Sequence, residues 1–430
     1  MALAQIKEDA LAKRIAGLGF AKDGWLGAAR ADALTRLLTM GLPSKRDEYW
    51  RYTDPASLTV AEVLIAPRFD AGDEPAAFDG VDQVRLVFVD GVFDAAASDD
   101  PALAGVEIEH LADAGSHDIH WARDLYGVLE ARGQSPVARP LAVMATAFAI
   151  SGVLIRAKGR AARPVSLIYH HVADRSDAIM HHCIKLEAGA ELTVLESGPA
   201  AARFTQVMEV EVGDGARFHH IRLQGRDHAR RAATHLFARL GEKAQVKSFT
   251  LTANGRLTRN DAVLELAGND AKAHIAGAAV GDGDFHHDDT VFVTHAAERC
   301  ESRQVFKKVL MNGAVGVFQG KILVKPGAQK TDGYQISQAL LLDGDSQFLA
   351  KPELEIYADD VKCSHGSTSG AIDETALFYL QSRGIPRRSA QSLLVLAFLA
   401  EAISEIEDEP IADDIRLRLE GWLNRHAARG

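Results

Sequence analysis

A thiol and an imidazole stand two residues apart near the carboxyl-terminal end of the chain, at Cys363 and His365. If the backbone there is extended, both side chains point to the same face, about 6.6 Å apart along the strand. A cysteine and a histidine so placed can share one metal ion. They cannot complete a site alone, because structural zinc takes four ligands and iron–sulfur clusters usually take several thiolates. The missing ligands must come from elsewhere in the chain or from a second chain.

The segment before this pair predicts the strand that would carry it. Residues 354–358 alternate apolar and polar side chains in the manner of a half-buried strand. Two other interpretations stay open: Cys363 is a structural thiol beside a surface His365, or it is a nucleophile with His365 as its base. The nucleophile is disfavoured, because side chains about 6.6 Å apart do not make a hydrogen bond of about 3 Å. A third, orienting residue is also not evident.

The remaining cysteines and histidines give weaker signals. Histidine pairs stand at residues 170–171, 181–182, 219–220 and 286–287. Adjacent residues on a strand face opposite sides, so the pattern favours scattered imidazoles over chelates. Cys300 is a candidate ligand or sulfur carrier, although a buried thiol is the simpler interpretation, and Cys183 is expected in the core. The sequence has no phosphate-binding Gly-x-x-x-x-Gly-Lys-Ser/Thr motif, no Gly-x-Ser-x-Gly and no His-Glu-x-x-His.

The composition narrows the class of protein and its surroundings. The 430 residues are 47% hydrophobic and 25% charged, as in ordinary soluble proteins. A formal net charge of −11 argues against nucleic acid or an anionic membrane as the main partner. Three scattered cysteines are not a disulfide framework and indicate a reducing compartment. The longest apolar run, residues 393–400, is far short of the roughly 20 residues of a membrane span, so we expect a cytoplasmic protein.

A weak repeat marks the middle of the chain, where short alternating segments are separated by Gly and Asp and little helical pattern is visible. Alanines that precede alternating segments lie about 26 to 29 residues apart, at Ala190, Ala216, Ala244 and Ala273. Stacked turns of this length predict a parallel β-helix, in which each turn buries its face against its neighbours. Periodicity alone leaves an antiparallel sandwich nearly as well supported.

Helical periodicity flanks this strand-rich region on both sides. We predict three domains: a helical or mixed domain at residues 1–136, a strand-rich core at 137–366 and a helical domain at 367–430. The helix that begins at Arg387 is apolar nearly all round, so its own domain or a partner must bury it.

Four long motifs accompany the Cys-x-His pair. They are VFQGKI at residues 317–322, AQKTD at 328–332, LEIYADDVKCSHG at 354–366 and LFYLQSRGI at 377–385. Together they resemble the SufB/SufD family of iron–sulfur cluster assembly proteins. The Cys-Ser-His-Gly form, with EYWRYT at 48–53, favours the SufD branch over SufB. The aromatic segment 48–53 is also expected to pack the amino-terminal domain onto the core. Ser367 and Ser369 depart from the family pattern without altering the resemblance.

The resemblance implies a fold and a set of partners. It implies a right-handed parallel β-helix flanked by the two helical domains, and a non-catalytic scaffold subunit of the SufBCD complex. A SufB-like subunit would pair through the β-helix edge, and a SufC-like ATPase would dock on the carboxyl-terminal helices. An iron–sulfur cluster would be assembled transiently at the SufB–SufD interface, with His365 as a ligand and Cys363 as a neighbouring thiol.

The resemblance also implies two properties of the isolated chain. It should contain no bound cofactor, and it can form a homodimer. A carbohydrate-binding or carbohydrate-cleaving β-helix is an alternative function. That function requires an exposed groove of acidic residues, and the sequence has no such cluster.

Overall fold

Strands dominate the middle of the chain and helices its two ends. The computed structural model describes residues 2–20, 24–68, 75–115, 120–225 and 229–427. The helices are α1 (Ala2–Ile15), α2 (Gly24–Met40), α3 (Ala56–Thr59), α4 (Leu111–Ala114), α5 (Val128–Arg132), α6 (Pro140–Phe148), α7 (Glu374–Ser382), α8 (Arg387–Ile403) and α9 (Glu409–Ala427). The strands are β1 (Val84–Val89), β2 (Val92–Asp94), β3 (Glu107–His110), β4 (Val153–Ala157), β5 (Val165–His170), β6 (Asp177–Leu186), β7 (Glu191–Ser197), β8 (Arg203–Val212), β9 (Arg217–Gln224), β10 (Arg231–Leu240), β11 (Gln245–Ala253), β12 (Leu257–Leu266), β13 (Lys272–Asp282), β14 (His286–His295), β15 (Glu301–Met311), β16 (Val315–Val324), β17 (Asp332–Leu341), β18 (Gln347–Ile356) and β19 (Lys362–Gly370).

These strands form two sheets. Over the described residues, sheet 1 has the order β19-β17-β15-β13-β11-β9-β7-β5-β1-β2, and sheet 2 has the order β18-β16-β14-β12-β10-β8-β6-β4-β3. From β4 onward successive strands alternate between the sheets, and each pairs in parallel with the strand two places further on. The result is a β-solenoid of about seven turns. The predicted parallel β-helix is therefore confirmed, and the antiparallel sandwich is excluded.

The turns stack in register, and this explains the repeated alanines. Gln245 pairs with Arg217 on one side and with Lys272 on the other. The residues just before these three strands, Ala216, Ala244 and Ala271, therefore form one column, and all are fully buried. The sequence alignment with Ala273 was wrong by two residues at this turn, because an alanine followed by an alternating segment occurs twice there.

Helices cover the outer faces of both sheets. The amino-terminal helices α2 and α6 pack on sheet 2, with Leu26 and Met144 in one apolar cluster with Phe237. The carboxyl-terminal helices α8 and α9 pack on sheet 1 through Leu399 and Trp422. This burial is what the nearly all-apolar α8 requires. Across the described part of the chain, none of the helices combines the length and the apolar character needed to cross a bilayer.

The structure moves several element boundaries. The helix α6 lies in the region expected to contain little helix. The sequence did not predict it, because periodicity does not distinguish a short helix that is apolar on every side from a buried strand. Strands β1 to β3, which precede residue 137, extend both sheets. The last strand continues to Gly370, beyond the predicted end at 366. The division into three domains at residues 136 and 366 stays a prediction.

The aromatic segment 48–53 packs the amino-terminal region against sheet 2. The Arg259 guanidinium donates to the Tyr49 carbonyl over 2.7 Å and stacks 4.1 Å from the centre of the Trp50 ring. The Lys351 ammonium lies 3.9 Å from the centre of the Tyr49 ring. The Thr53 hydroxyl donates to the Asp288 carboxylate over 2.6 Å. These contacts confirm the expected packing role.

Candidate functional site

The candidate ligands lie at the carboxyl-terminal end of the solenoid. Strands β18 and β19 end their sheets, with no further strand beside either of them among the described residues. In the register of β17 and β19, Cys363 lies beside Gly333 and His365 beside Gln335. Cys363 packs in a small cluster with Ile322 of the opposite sheet, so its side chain points into the solenoid. His365, two residues further on, points to the same side.

Cys363 and His365 differ in environment. Cys363 is half-buried, whereas His365 is exposed at the open end. Burial raises the pKa of the Cys363 thiol, and the nearby Asp332 carboxylate raises this pKa further. The resting thiol is therefore protonated at neutral pH, and ligation of a metal ion must displace its proton. Between these two described side chains there is no hydrogen bond, so the arrangement of a nucleophile activated by its base is absent.

Among the described residues, no strand pairs with the backbone donors on the outer edge of β19. The Lys362 N–H donates to the carbonyl of Thr331, the residue just before β17, over 2.8 Å. In a parallel ladder, alternate residues bond to opposite neighbours, so the N–H groups of Cys363, His365 and Ser367 point away from β17. Most of β19 is exposed. A free edge of this length is a template for addition of a further strand.

The lumen of the solenoid contains a buried polar network that sequence reasoning missed. The Glu196 carboxylate accepts hydrogen bonds from His220 at 2.7 Å, Arg222 at 2.5 Å, Tyr169 at 2.8 Å and Gln206 at 2.6 Å. Burial alone would raise the pKa of Glu196, but Arg222 and His220 lower it well below its usual range. Because its charge is balanced by Arg222 and its oxygens are fully bonded, this network is a structural one.

A second buried ion pair lies closer to the open end. The Lys308 ammonium donates to Asp289 at 2.6 Å and contacts His287 at 2.9 Å, and all three side chains are buried. One sequence signal could have revealed both groups. His220 and Arg222 share the inward parity of the buried Phe218 on β9, and His287 and Asp289 share the parity of Val291 on β14.

A group of three potential metal ligands lies on the outer face of sheet 2. His181, Cys183 and Glu209 are fully buried, and their ligand atoms lie within 4.8 Å of one another. However, Glu209 already accepts the Gly127 N–H at 2.5 Å, the Glu130 N–H at 2.8 Å and His181 Nε2 at 2.7 Å. Burial raises the pKa of the Cys183 thiol well above its usual value. We interpret the carboxylate as the cap that holds the first turn of α5 on the sheet.

Cys300, the other candidate, is in the column of small buried residues. It follows Ala271 in the register of β13 and β15 and is 1% exposed. Its thiol contacts the Gly268 carbonyl at 3.3 Å. Burial raises the pKa of Cys300. Cys300 therefore belongs to the core. One strand, β17, separates β15 from the strand β19 that carries Cys363 and His365.

The carboxyl-terminal helices expose a small apolar surface. Phe378 and Tyr379 of α7 are 72% and 55% exposed, and Leu393 of α8 is 47% exposed. Asp373 caps the amino terminus of α7, since its side chain accepts from the Thr375 N–H over 2.8 Å. Large apolar side chains exposed on the helices α7 and α8 are typical of a surface for a partner protein.

Comparisons with known proteins identify the family of this chain. The chain is a β-solenoid whose open end carries a Cys-x-His pair, and the family described as "SUF system FeS cluster assembly, SufBD core domain" matches residues 169–398. It is 31% identical to the iron–sulfur cluster assembly protein SufD of Escherichia coli, over 90% of each chain. It is 27% identical to an iron–sulfur cluster assembly SufBD family protein of Synechocystis, over 90% of this chain and 88% of the relative. With the SufD of Bacillus subtilis it is 27% identical over 58% of each chain.

The chain belongs to the SufB/SufD family of iron–sulfur cluster assembly proteins, in its SufD branch. Its role in iron–sulfur cluster assembly follows from that membership.

Proposed function

We propose that this chain is a non-catalytic scaffold subunit that contributes His365, and Cys363 beside it, to a cluster-assembly site shared with a SufB-like partner. The observation that carries the proposal is the position of the pair. Both side chains face the lumen in the last rung of the solenoid, on a strand whose outer edge is free. A strand of the partner that pairs with this edge would supply the remaining ligands of the site.

Two physical arguments support a shared site. An imidazole and a thiol alone bind iron weakly, since water occupies every remaining position, whereas a partner's thiolate or carboxylate can fill those positions. The free N–H groups of β19 would receive a strand from another solenoid, and that pairing would place the partner's ligands beside His365. The cluster is the cargo of this site and is handed on after assembly.

The test compares variants in the complex reconstituted with the partner subunits, iron and a sulfide donor. His365→Ala is expected to fold and to bind its partners, because an exposed side chain in the last rung contributes little packing, yet to abolish cluster build-up. Cys363→Ser should give a milder loss. Ser364→Ala is the matched control, since Ser364 lies on the same strand with its side chain on the opposite face. Normal cluster formation by His365→Ala, read by visible absorbance, would contradict the proposal.

We also propose that α7 and α8 dock the ATPase subunit. The exposed Phe378, Tyr379 and Leu393 supply large apolar side chains, which partner surfaces use. Phe378→Asp should weaken copurification with the ATPase and leave pairing with the SufB-like subunit intact. Leu417→Asp serves as the control, because Leu417 is also exposed, at 58%, but lies on α9. Equal binding by the Phe378 variant and the wild type would refute this docking surface.

A further inference from the structure

Two glutamines lie in the lumen directly behind the proposed assembly site. Gln304, Gln335 and His365 occupy one inward-facing row on β15, β17 and β19, each in register with the next. Gln335 is therefore one strand spacing, about 4.8 Å, from His365. Gln304 is two spacings away. Both glutamines are fully buried.

The carboxamides of these glutamines lack protein partners. Neither the Nε2 nor the Oε1 atom of Gln335 has a hydrogen-bond partner among the described residues, and the same holds for Gln304. Buried amides are almost always hydrogen-bonded, because water otherwise satisfies them in the unfolded chain. The neighbouring inward pair on the same strands is satisfied, since the Ser337 and Ser367 hydroxyls lie 2.9 Å apart. Within β17 and β19, the unpaired amide therefore belongs to the row that ends at His365.

The opposite wall of the lumen is shaped to admit the Gln335 carboxamide. A Cβ atom placed on Gly320 would lie 2.4 Å from Gln335 Oε1 and 2.8 Å from Gln335 Nε2. Gly320 is in extended backbone within β16, so its conformation does not demand glycine. The absence of a side chain there leaves the carboxamide room to reach across the lumen, just behind Cys363 and His365.

We infer that Gln335 is a binding residue of the assembly site, and that its carboxamide N–H donates a hydrogen bond to an anionic sulfur atom of the cargo held by His365 and Cys363. This inference rests on the proposed function. Sulfide sulfur accepts hydrogen bonds, and such bonds change the stability and the potential of iron–sulfur clusters. Gln335 is fully buried and lies beside His365 in the register of β17 and β19, so a cargo held by His365 would lie next to the Gln335 carboxamide.

The test separates a binding role from a structural one. Gln335→Leu removes both unpaired polar atoms and keeps similar volume, so the isolated chain should resist urea at least as well as the wild type. In the reconstituted complex, its cluster should be lost to a chelator about tenfold faster, and the Fe–S stretching bands should shift. Gly320→Ala, which retains the glutamine but displaces its carboxamide, should also speed cluster loss.

Gln304→Leu is the matched control, because it has the same chemistry, burial and row but lies one strand further from the cargo. It should leave the rate of cluster loss unchanged. If Gln335→Leu destabilises the isolated chain, or if its cluster is lost at the wild-type rate, the inference is overturned. Equal acceleration by Gln304→Leu would overturn it as well. Failure of the proposed function has a different signature, namely normal cluster build-up by His365→Ala.

Discussion

Glu209 provides a quantitative test of whether the group His181, Cys183 and Glu209 is a helix cap or a metal site. Its carboxylate is fully buried and accepts the N–H groups of Gly127 and Glu130 as well as His181 Nε2. Glu209→Ala would leave three buried donors without an acceptor, each at about 1–3 kcal/mol, so at least about 3 kcal/mol of unfolding free energy should be lost. That is a large part of the roughly 5–15 kcal/mol typical of whole domains.

Glu209→Gln keeps one acceptor oxygen, so we expect an intermediate loss of about 1–2 kcal/mol. The matched control is Glu211→Ala on the same strand, where the carboxylate pairs with Lys185 over 3.3 Å at the surface. Loss of that exposed pair should change the free energy of unfolding by less than about 1 kcal/mol. Urea unfolding followed by tryptophan fluorescence measures all three variants.

The cap also predicts the response to metals. Neither EDTA nor added zinc should change the urea midpoint of the wild type, because the Glu209 oxygens are occupied by N–H donors. Two results together would refute the interpretation of Glu209 as a helix cap. EDTA would lower the urea midpoint of the wild type, and Cys183→Ala would abolish this effect of EDTA. A loss below about 1 kcal/mol in Glu209→Ala would equally refute it.

Two further predictions concern acid stability and the free edge. Burial is the main cause that lowers the pKa of His235 to about 4, against about 6.5 in an unfolded chain. The unfolded state therefore binds the proton first, and stability present above about pH 6.5 is lost as the pH falls toward 4. Between about pH 7 and pH 5, the free energy of unfolding should fall by about 2 kcal/mol less in His235→Gln than in the wild type, as measured by urea unfolding. The control His170→Gln, at an exposed position, should lose as much stability as the wild type. Equal pH dependence of all three chains would contradict this. Ser367→Pro removes an N–H that faces away from β17, together with the hydroxyl that lies 2.9 Å from the Ser337 hydroxyl. Its thermal midpoint should therefore match that of Ser367→Ala, which loses the same hydroxyl, while copurification of the SufB-like partner is lost only in Ser367→Pro. Thr368→Pro, which removes an N–H facing β17, should lower the midpoint further. Normal copurification by a folded Ser367→Pro chain would show that β19 is not the pairing edge.

Much of the fold follows from local patterns in the sequence. Alternating segments separated by small residues predict strands, and the spacing of Ala190, Ala216 and Ala244 predicts stacked turns of nearly constant length. The cap at Asp373 and the burial of α8 follow from helix-end residues and from apolar composition. These features depend on neighbours in sequence or on a single repeat, so one chain suffices to predict them.

The rest depends on register between distant turns. Inward polar residues such as Glu196 and Arg222 look like solvent-facing positions unless the apolar residues that share their parity are used to identify the face of the lumen. The strand after His365 is rich in serine and glycine, which have low strand propensity, and its pairing with β17 is what holds it extended. The position of the Cys363–His365 pair was predicted from its motif, but the unpaired Gln335 behind it required the structure.

The most direct test of the central claim asks whether iron in the assembled complex is bound by a nitrogen atom of this chain. The subunit is labelled with ¹⁵N-histidine, combined with unlabelled partners, and studied by pulsed EPR after reduction of the cluster to a paramagnetic state. We predict a strong ¹⁵N hyperfine coupling that persists in His170→Ala. In His365→Cys, where a thiolate can replace the imidazole, a cluster should form without that coupling. A paramagnetic cluster in the wild-type complex with no coupling to the labelled nitrogen would contradict the account.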